Sequence, residues 1–499
     1  MPASFRLAQD PSTTIIEGGA VFLGGSPLRL FRVSERARGV IERWRKGERV
    51  GTGRATGLLA RRMVSAGAFA PEPGASPYGP SDVTVVIPVR DRPAQLDRLL
   101  ARLGGLCCVV VDDDSRDAAT TRELSLGHDA RFVGLTANVG PAGARNAGLA
   151  VTETPVVAFV DSDCLPPEGW LEPLLAHFED PLVAAVAPRI VPAARDESTL
   201  VARYEAVRSS LNRGAQPGLV RPGSNVPFVP SAVILVRTEL VEGHRLFDPE
   251  LRGGEDVDLE WRLTDAGWDV RYEPQSVVAH DGAATVGAFL GRRYVYGTSA
   301  GPLALRHGED MAPVQTSGWS VAVWILSLLR RPGLAMSAQV ASIMVLAHRL
   351  RGLVRDPVAV AAKIAGGGTA RAAVPTLAGI ARVWSPLLVM GLLFHRTRRL
   401  AALAMLVPAL HDHGQEPGRL DAPRYVGLHV ADDLAYGAGV WIGCLQARTA
   451  VPLLPRVAWR SRTWSSATLR EDLGRTDGSG SPLTVTGTAT PVPEDQSPR

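Results

Sequence analysis

Two aspartates one residue apart, Asp161 and Asp163, follow the apolar run Pro155-Val156-Val157-Ala158-Phe159-Val160. A run of that composition predicts a short buried strand. At a strand end alternate side chains share a face, so both carboxylates can address one point. Such a pair suits a hard divalent cation, Mg2+ or Mn2+, that keeps waters and binds substrate phosphates. A D-x-D alone is more often a polar turn, but three loops accompany this one. Pro88-Val89-Arg90-Asp91 closes one apolar strand and Asp112-Asp113-Asp114-Ser115 another. A third strand feeds Asn138-Val139-Gly140-Pro141-Ala142-Gly143-Ala144-Arg145-Asn146. Carboxylates at strand ends can accept hydrogen bonds from a uracil N–H and from ribose hydroxyls. A Gly-rich turn into a helix lets backbone approach a nucleotide closely. Arg145 can offset phosphate charge.

These loops require strands to carry them. Residues 83–89, 106–111 and 130–135 are apolar runs, and 93–103 is a helix with Leu96, Leu99, Leu100 and Leu103 on one face. Pro141 opens a second helix, a favoured first-turn position. The alternation predicts a doubly wound α/β domain over 82–300, its sheet mostly parallel, with ligands at the carboxyl ends of the strands. Ahead of it, residues 1–73 read as short strands broken by Gly-Gly pairs and then helices, a small winged-helix-like module. Residues 74–81 are a linker by composition. Residues 301–460 are apolar and helical, and 461–499 have the composition of a disordered tail.

The chain has 499 residues, 45% hydrophobic, with a formal net charge of only +4. Charge therefore gives no support to a nucleic-acid partner. Four cysteines without a C-x-x-C read as reduced thiols. No basic segment followed by an apolar one opens the chain, so no signal peptide is expected. The apolar runs 319–329, 333–350 and 383–394 lie beside arginines, and none gives about 20 clean apolar residues. They fit a helical domain or a segment lying on an anionic membrane surface.

In this order the motifs resemble family 2 glycosyltransferases of the GT-A fold. The carriers are VTVVIPVRD (83–91), VVVDDDS (109–115), NVGPAGARNAG (138–148), VDSD (160–163) and GGEDVDLEWRL (253–263). The resemblance implies a nucleotide-diphosphate sugar donor, a divalent metal and inversion at the anomeric carbon. It places Pro88, Arg90, Asp91, Asp112, Asp113, Asn138, Gly140, Arg145, Asn146 and Asp161 at the donor. Asp161 and Asp163 fall on the diphosphate–metal motif, with His280 a candidate third ligand. Glu255-Asp256 matches the catalytic acidic pair. One base must take the acceptor proton opposite the leaving diphosphate, and Asp256 is the choice, with Glu255 orienting groups around it. The Gln-x-x-Arg-Trp motif of processive synthases is missing from Arg292-Arg293-Tyr294-Val295-Tyr296-Gly297.

Residues 18–25, 28–42 and 58–69 resemble the PqqD-like recognition domain of ribosomally made, modified peptide pathways. That module, the GT-A domain and the helical tail with HVADDLAYGAGVW (429–441) are together similar to a transferase of such a pathway. The resemblance implies glucose transfer from UDP-glucose to a peptide-derived redox cofactor precursor or its precursor peptide, building a short β-1,4-glucan. A cell-envelope polysaccharide or rhamnosyl transferase and a lipid-linked sugar transferase are the alternatives. His411-Asp412-His413 with His429 has no firm ligand spacing for a second metal site.

Overall fold

The computed structural model describes residues 1–26, 28–193, 199–240, 246–415, 420–459 and 485–487. It divides into two compact units, 1–74 with 315–373 and 457–499, and 75–314 with 374–456.

The second unit is built on a nine-stranded sheet. Arg131–Gly134, Cys107–Asp112, Val83–Val89 and Val156–Val160 form one parallel block. Val233–Arg237 then runs antiparallel both to Val156–Val160 and to Val183–Pro192. Val183–Pro192 pairs in parallel with Asp269–His280. The four central strands are buried almost throughout, as continuous runs of Val and Ile demand of strands covered on both faces. One face packs Leu96, Leu99, Trp170, Leu174 and Phe178 against Val85, Ile87 and Val110. The other packs Leu149, Phe247, Leu259 and Tyr272 against Val86, Val111 and Phe159. This is the GT-A arrangement, with helices on both sides.

The helix Glu255–Asp265 is set by the residue just before it. Gly254 has φ +78°, and a Cβ there would stand 2.7 Å from Leu303 Cδ1. Both the left-handed backbone and the space require glycine. Further on, the helices Val286–Thr298 and Ala422–Ala447 cross so closely that a Cβ at Gly439 would meet the Tyr294 carbonyl at 2.1 Å.

In the first unit Thr14–Ile16, Val21–Gly24 and Arg29–Val33 form an antiparallel sheet. The helices Glu35–Arg45, capped by Ser34, and Arg54–Ser65 follow. Val21, Leu23 and Leu30 share a core with Ala347, Leu350, Val354 and Ala361. The helical region expected as one block over 301–460 is therefore divided. Its part 315–373 is compact with the N-terminal module, because those strands need an apolar cover that two helices do not supply. The tail expected to be disordered lies outside the described residues, except Val485–Gly487, which pairs with Arg29–Val33.

Candidate active site

The expected donor-side loops converge at one end of the parallel block. Pro88 is the next-to-last residue of its strand, and Arg90 and Asp91 beyond it are exposed. Asp91 has a left-handed backbone, φ +53°. Its N–H donates to Ser115 Oγ at 2.9 Å, and its Oδ1 accepts from the Arg116 N–H at 2.9 Å. Asp112 is buried, and while its Oδ2 accepts from Ser115, its Oδ1 has no partner. A carboxylate with one committed and one spare oxygen is suited to a ligand N–H or hydroxyl.

Two expected donor ligands are already used by the protein. Asp113 accepts from the Val139 N–H at 2.7 Å, the Gly140 N–H at 3.0 Å and Asn138 Nδ2 at 3.1 Å. It satisfies the orphan donors that open the helix Gly140–Leu149. Asn146 donates to the Phe247 carbonyl at 2.7 Å and accepts from the N–H groups of Leu246 and Phe247. Both side chains hold loops. Asn138 is partly spent as well, because its Oδ1 accepts from Arg252.

Arg145 also differs from expectation. It is 2% exposed, and its fork binds Asp161 Oδ1 at 2.7 Å and Glu255 Oε1 at 2.9 Å. A planar fork on two carboxylates fixes their separation. Burial opposes the guanidinium charge, but Asp161 and Glu255 outweigh it and raise the pKa. Arg145 thus connects the D-x-D loop to the acidic pair rather than standing free for phosphate.

Asp163 is met by His280 Nε2 at 3.2 Å and by the Arg92 guanidinium. Burial alone would raise the Asp163 pKa, but His280 and Arg92 hold it well below the usual range. Burial opposes the His280 charge in turn, yet Asp163 raises its pKa. For Asp161 burial dominates and raises the pKa against the pull of Arg145. Among the described residues no group of three or more His, Cys, Asp or Glu side chains is arranged to hold a metal ion by itself.

Asp256 stands one residue past Glu255 at the start of its helix. The segment 227–231 runs beside this helix on alternate hydrogen bonds. Trp261 Nε1 donates to the Pro227 carbonyl at 2.7 Å, the Val229 N–H to Glu260 Oε2 at 3.0 Å and the Ser231 N–H to Asp256 Oδ2 at 3.3 Å. Burial first, then the charge of Glu255, pushes the Asp256 pKa up to about 6. Such a carboxylate is poised as a base near neutral pH. Tyr296, 40% exposed, lies within reach of the charges of Asp256 and Asp161.

Sequence reasoning missed Arg92. Arg92 directly follows the first motif, but nothing in the sequence says that it reaches a carboxylate 71 residues away. Asp412 and His429 do come together, around Arg208, while Asp432 binds Arg293 at 2.9 Å. Arginines neutralise that cluster.

The sheet, the acidic loops at its strand ends and a raised carboxylate at a helix start define a nucleotide-sugar transferase of GT-A type. A family model, glycosyl transferase family 2, matches residues 84–244. The pre-mycofactocin glycosyltransferase of Mycobacterium tuberculosis is 39% identical over 475 residues, 92% of this chain and 98% of that one. The chain belongs to the family of pre-mycofactocin glycosyltransferases within family 2. Glycosyltransferase AglE of Haloferax volcanii is 25% identical over 49% of this chain and 80% of its own. Among solved structures, the mannosyltransferase PcManGT from Pyrobaculum calidifontis, in complex with GDP-Man and Mn2+, is 18% identical with a TM-score of 0.38. That match covers 69% of this chain and 90% of that one.

Proposed function

We propose that this enzyme moves glucose from UDP-glucose to pre-mycofactocin, a peptide-derived redox cofactor precursor, with inversion, and extends it into a short β-1,4-glucan. The observation that carries the reading is the raised carboxylate of Asp256 beside a pair, Asp161 and Asp163, held in place by cations. Relatedness over nearly the whole chain supports the acceptor. Asp91 and Asp112 offer acceptor oxygens to the uridine, with Pro88, Arg90 and Gly140 lining the same loops.

Asp256 takes the proton of the acceptor hydroxyl. The freed oxygen bonds to the anomeric carbon from the face opposite the diphosphate. The bond from that carbon to phosphate oxygen breaks, and its electron pair leaves with UDP. Glu255, fixed by Arg145, keeps Asp256 in register and helps raise its pKa.

Two carboxylates, each partly claimed by an arginine, with an imidazole on one of them, fit an open site for Mg2+ or Mn2+ whose other ligands come from phosphate and water. Asp161, Asp163 and His280 would hold it. When bound, the ion neutralises the charge that develops on the departing diphosphate. Arg92 serves the same end from the protein side.

The decisive experiment is intact-mass analysis of products from purified enzyme, a panel of UDP-sugars and pre-mycofactocin. Hexose increments from UDP-glucose alone support the reading. No mass gain on that acceptor with any donor refutes it.

Membrane contact belongs to the same proposal. The helix Pro332–Leu350 is long and apolar enough to cross a membrane by length and composition. Separately, Leu387, Met390, Leu393 and Phe394 are exposed beside Arg396, Arg398 and Arg399, where Ser385–Leu392 turns into Arg398–Gln415. Apolar tips between arginines favour an anionic lipid surface, here the inner face of the cell membrane. The enzyme should sediment in part with phosphatidylglycerol vesicles, and less so with Leu393→Ser and Phe394→Ser together or at high salt. Complete solubility with vesicles at low salt would refute the contact.

A further inference from the structure

Arg213, whose charge interacts with that of Asp256, is in no carboxylate ion pair among the described residues. Arg213 rests its guanidinium on the ring of Phe228, 3.7 Å from the centroid. Phe228 lies in the segment whose neighbours on either side, Pro227 and Val229, are tied to the helix of Asp256. Its backbone position is thereby fixed against the base. Among the described residues no carboxylate lies within ion-pairing distance of Arg213, and its Nε is buried without a partner. Burial is the largest influence on its pKa and lowers it to about 10. Glu260 and Asp256 act the other way, and the charge of Arg382 lowers it further. Arg382 is itself parked on an aromatic ring, that of Tyr436, at 4.0 Å. Two cations on rings that repel one another cost folding energy unless a ligand uses them.

Its charge bears on Asp256, the proposed base, and that argues for the acceptor side. The donor-side cations, Arg145 and Arg92, hold Asp161 and Asp163. The chemistry argues for a neutral ligand rich in oxygen. Asp256 and Glu260 already place two carboxyl groups here, and a third anion would compete with the charge that the base must carry. A guanidinium flat on a phenyl ring offers N–H groups at its edge and a π face beside it. That surface matches a ring bearing hydroxyl groups, an aryl or glycosyl ring. We propose that Arg213, supported by Phe228, is the residue that holds the hydroxyl-bearing ring of the acceptor against Asp256 and so sets acceptor affinity. The proposal rests on the functional reading above and names a contact within it.

The test is steady-state kinetics of the full-length enzyme with UDP-glucose and pre-mycofactocin. Arg213→Gln should raise the KM for the acceptor about tenfold to a hundredfold, the loss of a hydrogen bond from a charged group. The KM for UDP-glucose and the affinity for UDP should stay within about twofold, since only acceptor binding is removed. Arg213→Lys keeps charge and loses the planar stack, so it should fall between wild type and Arg213→Gln. Phe228→Leu keeps an apolar packing group and should act in the same direction with smaller size. An unchanged acceptor KM in Arg213→Gln overturns the proposal. So does a rise of donor and acceptor KM together with a fall in melting temperature that Arg213→Lys fails to recover, because that marks a structural arginine. Wild type that does not glycosylate this acceptor overturns the functional reading, and this contact with it.

Discussion

The two sides of the active site treat charge in opposite ways. On the donor side each carboxylate of the D-x-D pair has its cation, Arg145 on Asp161 and Arg92 with His280 on Asp163. On the proposed acceptor side, among the described residues, Asp256 receives backbone N–H groups and Arg213 rests on a ring. A paired site is already shaped before a dianionic donor arrives, and its charges cost little when the donor is absent. An unpaired site stores unfavourable charge that becomes useful when chemistry needs it. The raised pKa of Asp256 is that stored cost, and it makes the carboxylate a stronger base.

The comparison breaks first at Asp256. Asp256→Asn keeps the shape and removes the proton acceptor, so kcat should fall roughly 10²–10⁴-fold. UDP affinity should survive, because no donor-side group is touched. The folded-state pKa lies above the value of about 3.9 expected in the unfolded chain. The ionised form is therefore disfavoured in the fold, and this group lowers stability above pH 4, increasingly so towards pH 6. The variant should melt no lower than wild type at pH 7.5, which calorimetry can check. In wild type kcat/KM should rise with pH through about 6, and Asp256→Asn should lack that limb. A normal rate in Asp256→Asn would move the base to Glu255.

The next test is on the paired side. Asp163→Ala removes the carboxylate that gathers Arg92 and His280, and metal-dependent UDP binding should weaken. Transfer should fall roughly 10²–10³-fold, the scale of losing several kcal/mol of charge stabilisation at the leaving group. Titration of UDP with and without Mn2+ separates the two effects. Full activity of wild type in excess chelator would sink the assignment.

Much of this contrast was legible in the sequence, because its carriers are local. Runs such as 83–89 and 156–160 fix central strands by composition, and a strand end places its loop. Asp161 and Asp163 do follow the end of a strand, and Glu255 and Asp256 do open a helix. The partners were not legible, because pairing is a tertiary fact. Asp113 and Asn146 read as donor ligands from their motifs, and the sequence does not say that both also bond back to their own and neighbouring loops. Arg213 follows no motif at all, and only the segment 227–231 lying along a distant helix brings it to the base. The division of the helical region was hidden for the same reason. Nothing in residues 315–373 says that their apolar side covers Val21, Leu23 and Leu30.

The smallest expected effect falls on the residue that joins the two sides. Arg145 binds Asp161 on one arm and Glu255 on the other, so it sets the distance from donor to acceptor machinery. Arg145→Lys keeps the charge in this buried place, which avoids stranding two carboxylates, but one ammonium cannot grip both in fixed geometry. A misplacement on the order of 1 Å costs up to about 10²-fold in rate. With the charge retained, a loss of roughly tenfold in kcat is expected, with donor KM little changed. The loosened Glu255 should also act less consistently on Asp256. The acid limb of the pH profile should then move below its wild-type position, because Glu255 is one of the causes that raise that pKa. A fall in kcat with the acid limb unmoved would show that Arg145 serves the donor side alone. A shifted limb with an unchanged kcat would show that the coupling tunes the base without positioning the transfer.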